Sequence, residues 1–557
     1  MAGCPETSQG VATKPGAMFA TRTASSQVLG IGELLTMIFM SCLPDDKESD
    51  YRTTDVWTLR NNSHFKFPRR SEREAPLQLI HVCRHWRSWA LKTPKLWARI
   101  YLSFDVEVLR SVHDLTIRLN ILLFWLKHTQ SIPISIYCYD DNYLRERKFM
   151  SSPNTEATNK ILQEIVDAIY EQSHRWETVQ IDLTVFGVDP FYGFMDRDYP
   201  HLKSLELIQY YSDWPDARSK PNTVVALRSA PKLRKFLLTG LDTHHFVTAP
   251  SGLPSSLRYL GLSHTTLRTT ECVRGSQVTE LFFDNVYLSN ADLTRFPTAF
   301  PFLDSFTYEG SQRTTYIFNW AEDAGGINSK PVVLDKLTKL KVRTRRGRCF
   351  PLDRLSTPAL LHLTACQVSY EHSPKDFDEA VLQLIKRSAA PIIYFSHSAG
   401  YETCKKMTAI LKALPDLQFL EVKFPALSTA ALRLLEDPSV CPNLVSIRSE
   451  GRFKFVDRMC PTIRLDMPKV RHILQFMDKR CCKRSGNSAG SGTGLLNSAD
   501  ERRTWIKQLA LPVRRRSYHM LREDQRFIMA DVHFENTDTL RCYDYDDEYS
   551  SGTEGSD

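Results

Sequence analysis

Thirteen cysteines are scattered through the 557 residues, and only Cys481 and Cys482 stand close together, which is a poor geometry for a disulfide. No C-x-x-C pair occurs, and no secretory apolar region precedes them, so the chain reads as reduced and intracellular, in cytoplasm or nucleus. His244-His245 and His264 have no partners at metal-ligand spacing. A Walker loop, G-x-G-x-x-G, G-x-S-x-G and H-E-x-x-H are all missing. Cys83 lies among apolar residues at helical spacing and reads as a helix residue rather than a nucleophile. The expectation is a chain with no catalytic residue, metal or cofactor of its own.

Charge offers two further candidates. Lys341, Arg343, Arg345, Arg346 and Arg348 crowd one loop after a strand, and the planar guanidinium fork suits phosphate. A phosphorylated peptide could dock on Arg343, Arg345, Arg346 and Arg348, although a solvated loop is the plainer reading. Lys479, Arg480, Lys483 and Arg484, with Arg514–Arg516, are too loosely spaced to read as more than surface charge or a nuclear import signal. A net charge of +8 over this length is a weak bias, and the aromatic residues nearby form no base-stacking platform, which argues against nucleic acid. Apolar (42%) and charged (24%) shares are ordinary for a globular protein. The most hydrophobic long stretch, 106–127, is interrupted by Arg110, Asp114 and Arg118, so no membrane span is expected.

Binding surfaces are better represented than chemistry. Ala75–Trp97 reads as one amphipathic helix with a break at Thr93-Pro94 and a short Lys-Leu-Trp turn. Leu79, Val82, Cys83, Trp86 and Ala90 recur at intervals of three and four and share a face. Upstream, Glu33 to Met40 is a short helix with Leu34, Leu35, Ile38 and Phe39 on its apolar side, Gly32 at its start and Pro44 at its end. The charged, aperiodic residues 45–74 between them read as a long surface insertion separating two helices that pack together.

These two stretches together resemble the F-box. The first half matches through Ile31, Leu34, Leu35, Ile38 and Phe39, with Ile31 where leucine is usual and Gly32 where proline is usual. The second half matches through Val82-Cys83-Arg84, Trp86, Pro94 and Leu96-Trp97. The resemblance implies that Ile31, Leu34, Leu35, Ile38, Phe39, Leu79, Val82, Cys83, Trp86, Leu96 and Trp97 bind the small adaptor subunit of an SCF-type (cullin-RING) ubiquitin ligase and, through it, cullin. Apolar anchors at i, i+3 and i+4 are what helix-in-groove binding requires. Part of Trp86 and Trp97 is also expected to fill the module's own core.

Downstream the pattern becomes repetitive. The unit is an apolar residue, two others, an apolar residue, one other, then usually an apolar residue. It runs from Trp176, Val179 and Ile181 through Leu202, Leu205 and Leu207 to units opening at Leu233, Leu257, Val278, Leu303, Leu337, Leu360, Ile392, Leu417 and Leu444. Successive starts are 21 to 34 residues apart, about 27 on average, near the leucine-rich-repeat period of roughly 20–29. Each unit offers a short strand whose alternate side chains share one core, and no unit could bury that face alone. Helices are expected at Lys375–Arg387, Cys404–Leu414 and Ser428–Glu436. The region resembles the leucine-rich repeats of F-box receptors, but the asparagine expected after each strand is absent, with Tyr210, Leu241, Thr265, Arg345 and Val368 in its place.

The resulting expectation is an α/β (α+β) chain. Residues 1–27 form a disordered tail, 28–103 an F-box-like helical domain with its insertion at 45–74, and 104–130 a connecting helix. Residues 131–480 form an irregular leucine-rich-repeat-like solenoid of short parallel strands and helices. Residues 481–500 are a Gly/Ser linker, and 501–557 hold a short helix around Trp505, Ile506 and Leu509 before an acidic disordered tail. Function is expected to be substrate recognition for a ubiquitin ligase, the solenoid holding a protein substrate. The alternative is a leucine-rich-repeat interaction scaffold that does not assemble into a ligase.

Overall fold

The computed structural model describes residues 32–43, 75–104, 108–109, 111–140, 156–182, 197–208, 230–239, 253–263, 277–284, 286, 290–310, 331–345, 351–368, 377–399, 406–423, 429–450, 476, 508–510 and 532–533. It is a mixed α/β structure in two compact units, one of residues 1–142 and 150–168, the other of residues 143–149 and 169–557.

The first unit opens with helix α1 (Gly32–Ser41). The expected single helix over Ala75–Trp97 is instead two, α2 (Leu77–Val82) and α3 (Arg84–Leu91), followed by a 3-10 turn at Pro94–Leu96. The break falls at Cys83, whose backbone is extended (φ −161, ψ 168) and whose sulfur accepts a hydrogen bond from Trp86 N at 3.4 Å. Cys83 therefore caps α3 in the manner of a serine, and a side chain that caps a helix lies outside its apolar stripe.

Strand β1 (Arg99–Phe104) follows, in a region expected to be wholly helical. Its inward residues Ile100, Leu102 and Phe104 are buried, and it pairs in parallel with β2 (Ile134–Asp140), where Ile134, Ile136 and Cys138 are buried. Between them lies α4 (Val112–Thr129). It starts later than the expected position 104 because Ser111 caps it, accepting from Asp114 N at 3.1 Å, and it ends at Gln130, whose φ is 50°. A further helix, α5, spans Glu156–Glu171.

The second unit is dominated by a parallel sheet of 13 strands that follow one another in chain order. They are β3 (Trp176–Asp182), β4 (Ser204–Ile208), β5 (Lys235–Thr239), β6 (Tyr259–Ser263), β7 (Glu280–Asp284), β8 (Ser305–Glu309), β10 (Lys339–Arg345), β12 (His362–Val368), β13 (Tyr394–Ala399), β14 (Phe419–Lys423), β15 (Ser446–Glu450), β16 (Gln508–Ala510) and β17 (Val532–His533). The short pair β9 (Val332–Val333) and β11 (Leu355–Ser356) forms a separate two-stranded sheet. The last two main-sheet strands correct an expectation. Leu509 lies in β16, paired with Ile447 of β15, and not in the expected short helix, because a long-range ladder overrides local propensity; Trp505 and Ile506 lie outside the described residues.

Register explains the core. Val179, Leu205, Phe236, Leu260, Leu281, Phe306, Leu340, Leu363, Phe395, Leu420 and Ile447 lie opposite one another in successive strands and are all buried. A second buried row two residues on includes Ile181, Leu207, Leu238, Leu262, Phe283 and Val342. The first apolar residue of each unit, from Leu202 to Leu444, is buried just ahead of its strand. Helices α6 (Asn290–Ala299), α7 (Phe377–Ser388), α8 (Met407–Lys412) and α9 (Thr429–Leu435) contribute buried side chains, among them Phe296, Val381, Leu384, Ile410 and Leu432.

Backbone groups at the strand entrances find partners without an asparagine ladder. Arg234 N and Lys235 N both donate to Lys203 O, Arg258 N and Tyr259 N to Arg234 O, and Thr338 N and Lys339 N to Asp304 O. The same fork recurs where Leu361 N and His362 N meet Thr338 O, and where Val445 N and Ser446 N meet Gln418 O. One carbonyl of each unit thus receives two donors of the next, which keeps polar main chain satisfied at the edge of the core.

Candidate protein-interaction site

Helix α1 carries its four expected apolar residues as two i, i+4 ridges facing different ways. Leu35 and Phe39 are fully buried, and the Phe39 ring meets Trp86 edge-on at 5.0 Å. Leu34 and Ile38 are 36% and 37% exposed, and Met37 beside them is 66% exposed. On α2, Leu79 is buried and Val82 is 55% exposed.

The residues expected to bind a partner therefore separate into two sets. Leu35, Phe39, Leu79, Leu96 and Trp97 are interior, Trp86 is half-buried, and Leu34, Ile38, Val82 and Cys83 face solvent. Ile31 lies outside the described residues. Met37 was missed by the sequence reading, although its place three residues after Leu34 on the same helix was a usable signal.

The interior set is held by named contacts. Trp97 is fully buried, its Nε1 donates to Ala90 O at 2.8 Å, and its ring meets Trp125 and Phe124 edge-on at 5.2 and 5.3 Å. Thr93 Oγ1 donates to Trp89 O at 2.8 Å, closing α3, and Thr36 Oγ1 donates to Gly32 O at 2.9 Å inside α1.

Gly32 is explained by Trp89. A Cβ on Gly32 would stand 2.1 Å from Trp89 Cη2 and 2.6 Å from two further atoms of that ring. The indole edge fills the space that proline would need, so the departure from the expected pattern is matched by a residue on the helix α1 packs against. Tryptophan at 89 was legible in the sequence, but its pairing with Gly32 was not.

Helix α4 leaves another apolar stripe outside, Ile117, Ile121 and Phe124, at spacings of four and three. Among the described residues no helix is long and apolar enough to cross a membrane, and no group of three or more His, Cys, Asp or Glu is placed to hold a metal.

On the sheet, the expected anion patch is only partly described. Arg343 sits in β10 in register with Glu309 of β8 and Cys366 of β12, and Lys341 Nζ lies 3.3 Å from Glu309 Oε1. A carboxylate beside these cations weakens the case for a phosphate site at Arg343. Arg346 and Arg348 lie outside the described residues, as does the side chain of Arg345.

The same non-core face carries desolvated acids and phenols. Burial pushes the Glu206 carboxyl up, with Lys235 opposing, and Gln180 Nε2 donates to it at 3.4 Å. Tyr259 is raised by burial and then by Glu206, Glu280 and Glu309; Tyr308, in register with Phe283 and Val342 on the core side, is raised by burial and Asp284.

No protein-family model matches the chain, and no curated protein does so either.

Proposed function

We propose that this chain is an F-box-type substrate receptor. In this reading its N-terminal helices bind the adaptor of an SCF-type ubiquitin ligase, and its sheet, read as an irregular leucine-rich-repeat solenoid, holds a protein substrate. The observation that carries the reading is the solvent-facing apolar set Leu34, Met37, Ile38 and Val82 on short helices whose inner sides pack around Phe39, Trp86 and Trp97. Exposed apolar residues grouped on short helices mark protein interaction sites, and an apolar helical ridge suits a groove in a partner. The repeated strands and their two buried rows support the solenoid half of the reading. Ligase chemistry would then be supplied by partners, and this chain would contribute proximity.

The test is co-purification of the chain with the adaptor and cullin, beside Leu34→Asp and Val82→Asp forms shown to remain folded. Capture by wild type and loss in both variants is the expected result. Failure of wild type to bring down the adaptor leaves the interaction scaffold as the better reading.

A further inference from the structure

The face of the sheet opposite the core carries an aromatic row beside cations. Lys339, His362, Tyr394 and Phe419 lie in register on β10, β12, β13 and β14. The His362 and Tyr394 rings are 5.7 Å apart, and Phe419 remains 40% exposed. The Tyr394 hydroxyl is engaged by Glu421, which leaves ring faces rather than polar groups on offer. Burial and Lys339 hold His362 below its usual range, so it stays a neutral ring near pH 7. Lys339, Lys341 and Arg343 alternate along this side of β10, Lys341 and Arg343 beside Glu309 of β8 and Lys339 farther from it, while Glu421 is the one carboxylate that the described parts of these four strands place on it. The surface thus asks for an extended peptide combining negative charge with aromatic side chains.

One such segment exists in this chain. Tyr543-Asp-Tyr-Asp-Asp-Glu-Tyr549 alternates tyrosine with acid, and no lysine or arginine occurs from Tyr543 onward. It lies outside the described residues, and β17 ends ten positions before it, at His533. In the sheet order β17 is three strands from β14 and five from β12, or about 14 and 24 Å at the usual strand spacing. Residues 534–542 reach about 30 Å when extended, so the segment can arrive. The aromatic row itself is about 14 Å long, the span of roughly four extended residues.

We propose that Tyr543–Tyr549 docks in cis on the Lys339–His362–Tyr394–Phe419 row. If the sheet is the substrate face of a receptor, a clause that rests on the function proposed above, this segment competes with substrate there and must be displaced.

The test uses the whole chain and a fluorescein-labelled peptide of residues 543–549, read by anisotropy. A chain with Asp544→Asn, Asp546→Asn, Asp547→Asn and Glu548→Gln is expected to bind the peptide at least tenfold more tightly than wild type, because its own segment no longer competes. Adding Lys339→Glu or Phe419→Ala to that chain is expected to cost at least tenfold, with unchanged thermal unfolding showing that both remain folded. Equal binding by wild-type and neutralised chains, including none by either, overturns the proposal, as does binding indifferent to Lys339 and Phe419. Adaptor capture depends on the other unit, so its failure is a separate result.

Discussion

The helical unit and the sheet bury apolar residues by different means. In the sheet, burial is collective: each strand adds one member to rows such as Phe306, Leu340 and Leu363, and a neighbour on either side seals it. In the helical unit, burial depends on a few aromatic contacts, Phe39 with Trp86 and Trp97 with Trp125, and apolar residues are left over. Collective rows leave little apolar surplus at the core, so exposed Leu34, Met37, Ile38 and Val82 stand out against them. The difference separates residues that make the fold from residues available to a partner.

The largest expected effect breaks a row. Leu363→Asp puts a carboxylate between Leu340 and Phe395 and should cost more than about 4 kcal/mol, seen in denaturant as a lowered unfolding midpoint or loss of the cooperative transition. A smaller loss, about 1–3 kcal/mol, is expected for Gly32→Ala, which forces a methyl into the Trp89 ring. Combining it with Trp89→Leu should cost less than the two single changes added together, and strict additivity would separate Gly32 from Trp89.

Glu206→Gln sharpens the account of the sheet's outer face. Because the folded carboxyl titrates above its usual 4.5, the folded chain holds the proton longer than the unfolded one. Glu206 therefore costs stability increasingly as pH rises from about 4.5 through its folded value. The glutamine form should be the more stable near pH 7, with the difference vanishing below about pH 4 in paired melts. The smallest effect on stability, within about 0.5 kcal/mol, is expected for Leu34→Asp, a residue the fold does not need.

Much of the sheet was legible because a strand's period of two shows through even short apolar patterns. Leu202-x-x-Leu205-x-Leu207 and its successors mark both the strand and its core-facing side. The pattern was silent where pairing is non-local. β16 carries Leu509 into the ladder by pairing with Ile447, far back in the chain, while the local spacing of Trp505, Ile506 and Leu509 pointed to a short helix. β1 was hidden because its three buried residues directly follow a helical motif. At the candidate site, helical spacing gave membership but not direction. Leu79, Val82, Cys83 and Trp86 fit one stripe on an unbroken helix, and the cap at Cys83 rotates the second part away from the first. Gly32 stands where proline is usual, and its reason, the Trp89 ring in the space a Cβ would take, is a tertiary contact that spacing does not reveal.

Amide hydrogen exchange on the whole chain, with and without the adaptor, tests the central claim most directly. The account predicts slowed exchange over Gly32–Ser41 and Leu77–Val82 on adding the adaptor, with β3 to β15 unchanged. Protection confined to the sheet strands, or none anywhere at saturating adaptor, would contradict it.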